Sequence, residues 1–217
     1  MRRKVYQTAA GFIEQNSTLD RPLAYCQDWS ALAQPLTVWH TEIRNRLVCQ
    51  AMEGCDGTVQ GEPGALTIRR YERLAKGGAG LIWFEATAVC REGRANPRQL
   101  LINEDTLDSF KRIVEQMKEW GLKANGFAPM VIMQATHSGR YSKPEGVPAP
   151  LIAYNNPVLE GKTPIDGSRI LTDGQLDRIG EQLVHAAVLA EKAGFDGVDI
   201  KACHRYLLSE LLAAHTR

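Results

Sequence analysis

The stretch "GFDGVDIKACHRYLLSEL" (Gly194–Leu211) decides how the chain folds. Phe195 to Lys201 is a short apolar run of strand length, and Arg205 to Ala214 carries helical spacing. Where the strand gives way to the helix, the sequence presents Lys201, Cys203 and His204 within four positions. In a parallel α/β fold, the rim formed by strand C-termini is where ligands bind. A buried strand ending on ionisable groups fits that rim.

The preceding sequence repeats the same alternation. "RLVCQAM" (46–52), "GAGLIWFEATAV" (78–89) and "GFAPMVIMQ" (126–134) read as three further buried strands. "ALTIRRYERLA" (65–75) has apolar residues at helical spacing. "NEDTLDSFKRIVEQMKEWG" (103–121) is an amphipathic helix with Leu107, Phe110, Ile113, Val114 and Met117 as its core stripe. Glu104 and Asp105 are expected in its first turn and Gly121 at its C-terminal stop. "LTDGQLDRIGEQLVHAAVLAEKAG" (171–194) is the next helix, with Thr172 and Gln175 spaced as a capping box and Gly194 at its end. Residues 135–171 form a loop long enough to need a function or small elements of its own. Within it, "EGKTPIDGS" reads as polar surface, not as a phosphate loop. Residues 1–34 show no clear period and are read as an N-terminal extension ahead of a body at 35–217.

The order β-α-β-α-β-α-β-α, with strands apolar on both faces, predicts a parallel sheet. No GxGxxG follows a strand, so a dinucleotide-binding unit lacks its fingerprint. The expected fold is α/β of the (β/α)8 TIM-barrel family, here about the first four β-α units, since a whole barrel takes about 250 residues. Half a barrel leaves open edges and an uncovered interior. The expectation is therefore a fragment, or one part of an assembly that supplies the remainder of the barrel or forms an oligomer. Polar residues gather after the strand ends: Glu53, Glu85, Gln134, His137, Lys201 and His204.

Composition narrows the function. The chain has 217 residues, is 44% apolar, and balances 26 basic against 25 acidic residues. That gives no electrostatic footprint for nucleic acid or an anionic membrane. The longest apolar runs are too short to span a bilayer, and the basic N-terminus lacks the apolar core of a secretory signal. Five cysteines without metal spacing read as reduced thiols in a cytoplasmic protein that holds no metal, with Cys203 a small packing residue.

Four segments together, "EIRNRLVCQAME", "GGAGLIWFEATAV", "MQATHSGR" and "AGFDGVDIKACHRYLLSELLAAHTR", resemble the Old Yellow Enzyme family of FMN-dependent ene-reductases and NADH:flavin oxidoreductases, including its dienoyl-CoA reductase branch. The likeness runs from about Pro35 to Arg217. It implies a (β/α)8 barrel with FMN at its C-terminal mouth, NADH or NADPH as electron donor, and a small activated alkene as substrate. It places Ala51 and Met52 beside the flavin, and Ala86 where a small residue lets the ring approach. Gln134 takes the place of the glutamine that bonds the flavin's pyrimidine edge. Glu53 stands where other members carry a small residue or a cysteine that tunes the flavin. The family pattern His-x-x-His (or Asn) followed by Tyr two residues on becomes Lys201, His204 and Tyr206, with Lys201 in place of the first histidine. The implied chemistry has two side-chain donors holding the charge that develops on the acceptor oxygen, and Tyr206 giving a proton. His137 and Arg140 match a segment that shapes the site. The family's phosphate-gripping loops follow later strands, so this chain alone is expected to hold FMN weakly.

Each of these residues has a plainer reading in isolation: a solvated strand-end lysine, a packing histidine, a core tyrosine. A second chemical reading makes Lys201 the amine of a Schiff-base aldolase or lyase. A third makes the chain a non-catalytic half-barrel that needs a partner.

Overall fold

A parallel four-stranded sheet, its strands side by side in chain order, organises the protein in the computed structural model, which describes residues 6–38 and 40–215. Before it come α1 (Ala9–Asn16), α2 (Ser30–Ala33), and the antiparallel pair β1 (Leu36–Val38) and β2 (Thr41–Ile43). The sheet and its crossovers are β3 (Val48–Cys49), α3 (Ala65–Lys76), β4 (Leu81–Ala88), α4 (Leu107–Asn125), β5 (Met130–Thr136), α6 (Asp173–Lys192), β6 (Gly197–Ile200) and α7 (Leu207–Leu211), with the short α5 (Pro157–Glu160) between β5 and α6. The first five residues of the predicted extension, Trp39, and the last two positions of the closing segment lie outside the described residues.

Alternation along the strands divides the sheet into two faces. Ile82, Phe84, Val131 and Met133 are fully buried against α3, α4 and α6, packing with Phe110, Met117 and Leu189. Tyr71 of α3 stacks on Phe84 at 4.2 Å between ring centres, and Phe195 meets Phe84 edge-on at 5.2 Å. Trp83, Ile132 and Gly197 form a row on the other face, only partly covered. Among the described residues the main core draws on Cys49 onward, and no helix is long and apolar enough to cross a membrane.

The predicted elements form, with boundaries shifted by a few residues. The capping box is present: Thr172 Oγ1 accepts from Gln175 N, and Gln175 Oε1 accepts from Thr172 N at 2.8 Å. The 135–171 segment holds two 3-10 turns (Gly139–Tyr141 and Gly167–Arg169) besides α5. Arg140 fastens it from within, pairing with Glu160 and, at 2.9 Å, with Glu210 of α7.

Three expectations are corrected. Gly121 does not end α4; the helix continues to Asn125 and stops where Gly126 turns left-handed at φ +78°. Gly121 is a packing glycine, since a Cβ there would lie 2.4 Å from Pro129 Cδ. Glu104 and Asp105 precede the helix, whose first turn carries Asp108. Cys203 is exposed and packs in no core.

His137 follows β5 in a buried turn. Its Nδ1 accepts from Gly139 N at 3.1 Å, which assigns the proton to Nε2. Burial pushes its pKa down to about 4, overriding the opposing pull of Glu92.

Two predictions follow from this packing. Gly121→Ala should destabilise by about 1–3 kcal/mol through overlap. Gly180→Ala, in a helical position with open space around it, should stabilise by about 0.5–1 kcal/mol. Urea midpoints read both, and equal signs contradict the packing role of Gly121. As for pH, His137 stays neutral in the fold between about 6.5 and 4 while the unfolded chain takes up a proton, so stability is lost as pH falls through that window. From pH 7 to pH 5 the protein should lose about 2 kcal/mol more than His137→Gln does. Parallel pH profiles contradict this.

Candidate active site

The site begins with a bulge. β4 pairs with β5 as Phe84↔Met133 and then Ala86↔Gln134, so Glu85 is the extra residue. In regular alternation Ala86 would follow Ile82 and Phe84 onto the helix side. The inserted residue turns it to the opposite face. Ala86, Gln134 and Asp199 then form one row across three strands, and Gln134 Nε2 donates to Asp199 Oδ2 at 2.7 Å.

The displaced Glu85 is almost fully buried and anchors the loop after β3. Its carboxylate accepts from Gly54 N at 2.8 Å and from Arg70, while its own N–H donates to Tyr71 Oη at 2.7 Å. Arg70 also binds Asp56 at 2.6 Å, and Asp56 accepts from Thr67 Oγ1 at 2.6 Å. Burial raises the Glu85 pKa against the pull of the Gly54 N–H and Arg70. Asp56 is lowered overall, its bonds from Thr67 and Arg70 outweighing the larger single effect of partial burial. This network fixes the segment that carries Met52 and Glu53.

Glu53 meets Lys201 and Tyr206. Lys201 is buried, with Nζ 3.9 Å from Glu53 Oε2 and 4.3 Å from the centre of the Tyr206 ring, over its face. Tyr206 Oη donates to Glu53 Oε2 at 3.4 Å. Burial raises the Glu53 pKa, with Lys201 and Tyr206 opposing it. The Tyr206 phenol is raised as well, first by burial and then by the Glu53 charge. Glu53 extends from one edge strand of the sheet and Lys201 from the other. In a flat sheet, three spacings of about 4.8 Å hold such edges about 14 Å apart. Their contact fits a sheet that curls toward its strand tips, as an arc of a barrel does, with the loop after β3 covering the rest of the distance.

The turn between β6 and α7 is strained. His204 and Arg205 have φ of +59° and +58°, a region that costs L-residues roughly 1–2 kcal/mol each. The THSGR segment backs this turn: Leu207 N donates to His137 O at 3.2 Å, and Gly139, at φ +60°, leaves no room for a Cβ against Leu207 N. Outside the turn opens a cleft of about 690 Å³, whose lining includes Cys55, Asn96, Lys143, His204, Arg205 and Tyr206.

The expected residues thus take different stations. Lys201, Tyr206 and Glu53 are in mutual contact. Ala86 and Gln134 share a row. Met52, 72% exposed, stands at the open tip of the first sheet strand beside the half-buried Ala51. His204 is exposed at the rim, its ring centre 6.4 Å from that of Tyr206 and edge-on to it. Sequence reasoning missed Asp199, although alternation places it on the same strand face as Lys201. It also missed the Asp56–Arg70–Glu85 network, which no local pattern announces, and Arg205.

Comparison with known proteins identifies the family. Residues 31–217 match the NADH:flavin oxidoreductase / NADH oxidase family. The chain is 32% identical over 188 residues to the NADPH dehydrogenase of Bacillus velezensis, covering 84% of this chain and 51% of that protein. It superposes on a 2-naphthoyl-CoA reductase with a TM-score of 0.72 at 20% identity, covering 84% of this chain and 28% of the other. A morphinone reductase in complex with tetrahydroNAD gives a TM-score of 0.70 at 24% identity, covering 86% and 53%. The chain spans about half the length of the NADPH dehydrogenases it matches. With four parallel strands curled into an arc and the polar residues at their tips, this protein belongs to the NADH:flavin oxidoreductase family of Old Yellow Enzyme-like (β/α)8-barrel proteins.

Proposed function

We propose that residues 35–217 form the first four β-α units of an FMN-dependent NAD(P)H oxidoreductase that delivers hydride to an activated alkene of the enone or enoyl type. The observation that carries this reading is the Lys201–Glu53–Tyr206 cluster, set at the same strand tips as the Ala86–Gln134–Asp199 row. The names of the similar proteins, an NADPH dehydrogenase and two reductases, support it.

The residues present fit a flat flavin ring. Met52 offers an uncovered apolar surface. Ala86 leaves the second tip without a bulky side chain. Gln134 uses its Nε2 on Asp199, and its Oε1 has no partner among the described residues, so it can accept from a ring N–H. Bound FMN would supply two-electron hydride transfer from NAD(P)H to the electron-poor carbon of the alkene.

The protein's own part is electrostatic and prototropic. Lys201 can donate to the acceptor oxygen on which negative charge develops. Glu53 and the Tyr206 ring hold its Nζ in place, so the ammonium acts from a fixed position despite its flexible stem. Tyr206, kept protonated by its raised pKa, is the proton donor to carbon. His204 serves as a second donor from the rim. A Schiff-base role needs a free amine facing a carbonyl site, whereas Nζ is engaged by Glu53 and the Tyr206 face.

In the FMN-loaded full-length protein, Lys201→Met should slow alkene reduction by about 10²–10³. It should change flavin bleaching by NAD(P)H less than tenfold, and Lys201→His should recover most of the loss. Stopped-flow measurement of the two half-reactions tests this. An equal loss in both, or in neither, contradicts the role given to Lys201.

A further inference from the structure

We propose that the cleft over Tyr206 is an anion subsite: Arg205, with Lys143 and His204, takes a carboxylate or phosphate carried by the acceptor alkene at a distance from the bond that is reduced. This rests on the reading of the site as an alkene-reducing centre and names the class of substrate it takes.

Backbone strain is the first observation. Among the described residues, the non-glycine positions with left-handed φ are Cys55, His204 and Arg205. All three line this one cleft. Their segments come from opposite edges of the sheet, so the coincidence does not arise from a single turn. A glycine at 205 would adopt φ +58° without strain. The chain instead holds an arginine there, and that arginine lines the cleft. Strain of this kind persists where the surroundings over-determine it, and it clusters at ligand sites.

Charge is the second observation. Arg205 and Lys143 have no carboxylate partner among the described residues, and both are exposed on the cleft. Glu53 is committed to Lys201 and the Tyr206 phenol. Glu145 is taken by Arg91. The rim thus presents two cations without carboxylate partners and an imidazole. Guanidinium is the group suited to a planar, bidentate grip on carboxylate or phosphate. The cleft, about 690 Å³, is wide and open to solvent.

The test is calorimetric titration at constant ionic strength with benzylideneacetone, 4-carboxybenzylideneacetone and inorganic phosphate, on the FMN-loaded full-length protein and its Arg205→Gly and Arg205→Gln variants, without NAD(P)H. The carboxylated ketone should bind at least tenfold more tightly than the neutral one, and both variants should reduce that ratio below threefold. Only Arg205→Gly should also raise Tm, by about 2–4 °C. Phosphate tighter than the carboxylated ketone assigns phosphate-bearing acceptors; the reverse order assigns carboxylic acids. Equal affinity of the wild type for the two ketones overturns the proposal. So does a preference that survives in both variants, which would hand the anion to Lys201. Binding is read without hydride transfer, so failure to reduce alkenes with the preference intact sinks the redox reading alone.

Discussion

The ammonium of Lys201 is the constraint around which the strand tips are arranged. An ammonium taken out of water costs several kcal/mol unless a counter-charge and hydrogen bonds answer it. Here the answer comes from the far edge of the sheet, where the loop after β3 brings Glu53 to 3.9 Å. Curling of the sheet and the loop that carries Glu53 together bring the pair within reach. Ala86 and Gln134 share one row on the same side of the sheet. Tyr206 completes the cluster, its ring covering the ammonium and its hydroxyl reaching the same carboxylate.

Everything near this contact helps to hold it. The bulge at Glu85 turns Ala86 to the Gln134 side and provides the carboxylate that ties the loop after β3 to α3 through Arg70. Arg140, between Glu160 and Glu210, fixes the long 135–171 segment onto α7. His137 and Gly139 pack under the turn that carries His204 and Arg205. The strain in that turn is sustained by these surroundings, which is how a strained backbone persists in a folded protein.

Much of this was legible in the sequence, for identifiable reasons. Strand and helix order followed from apolar periodicity, and the cap at Thr172 from a spacing rule with a direct hydrogen-bond cause. Polar residues collecting after the strands pointed to the end where Glu53, Lys201 and Tyr206 meet. Gly121 misled because a helix-ending glycine and a close-packed one look alike until the neighbour, Pro129, is placed. Cys203 misled because its small size suits a core, but the left-handed turn that follows leaves it outside. The Glu53–Lys201 contact could not be foreseen, since it depends on sheet curvature and joins residues with nearly the whole fold between them. The row from Gln134 to Asp199 was within reach, because a strand face recurs every second residue and Asp199 precedes Lys201 by two.

The most direct measurement is a double-mutant cycle between Glu53→Gln and Lys201→Met, read by urea unfolding of the chain. A contact that joins the two sheet edges should give a coupling of about 1–3 kcal/mol. Additive effects, with coupling near zero, would show that the edges do not meet and that the strand tips do not form one site.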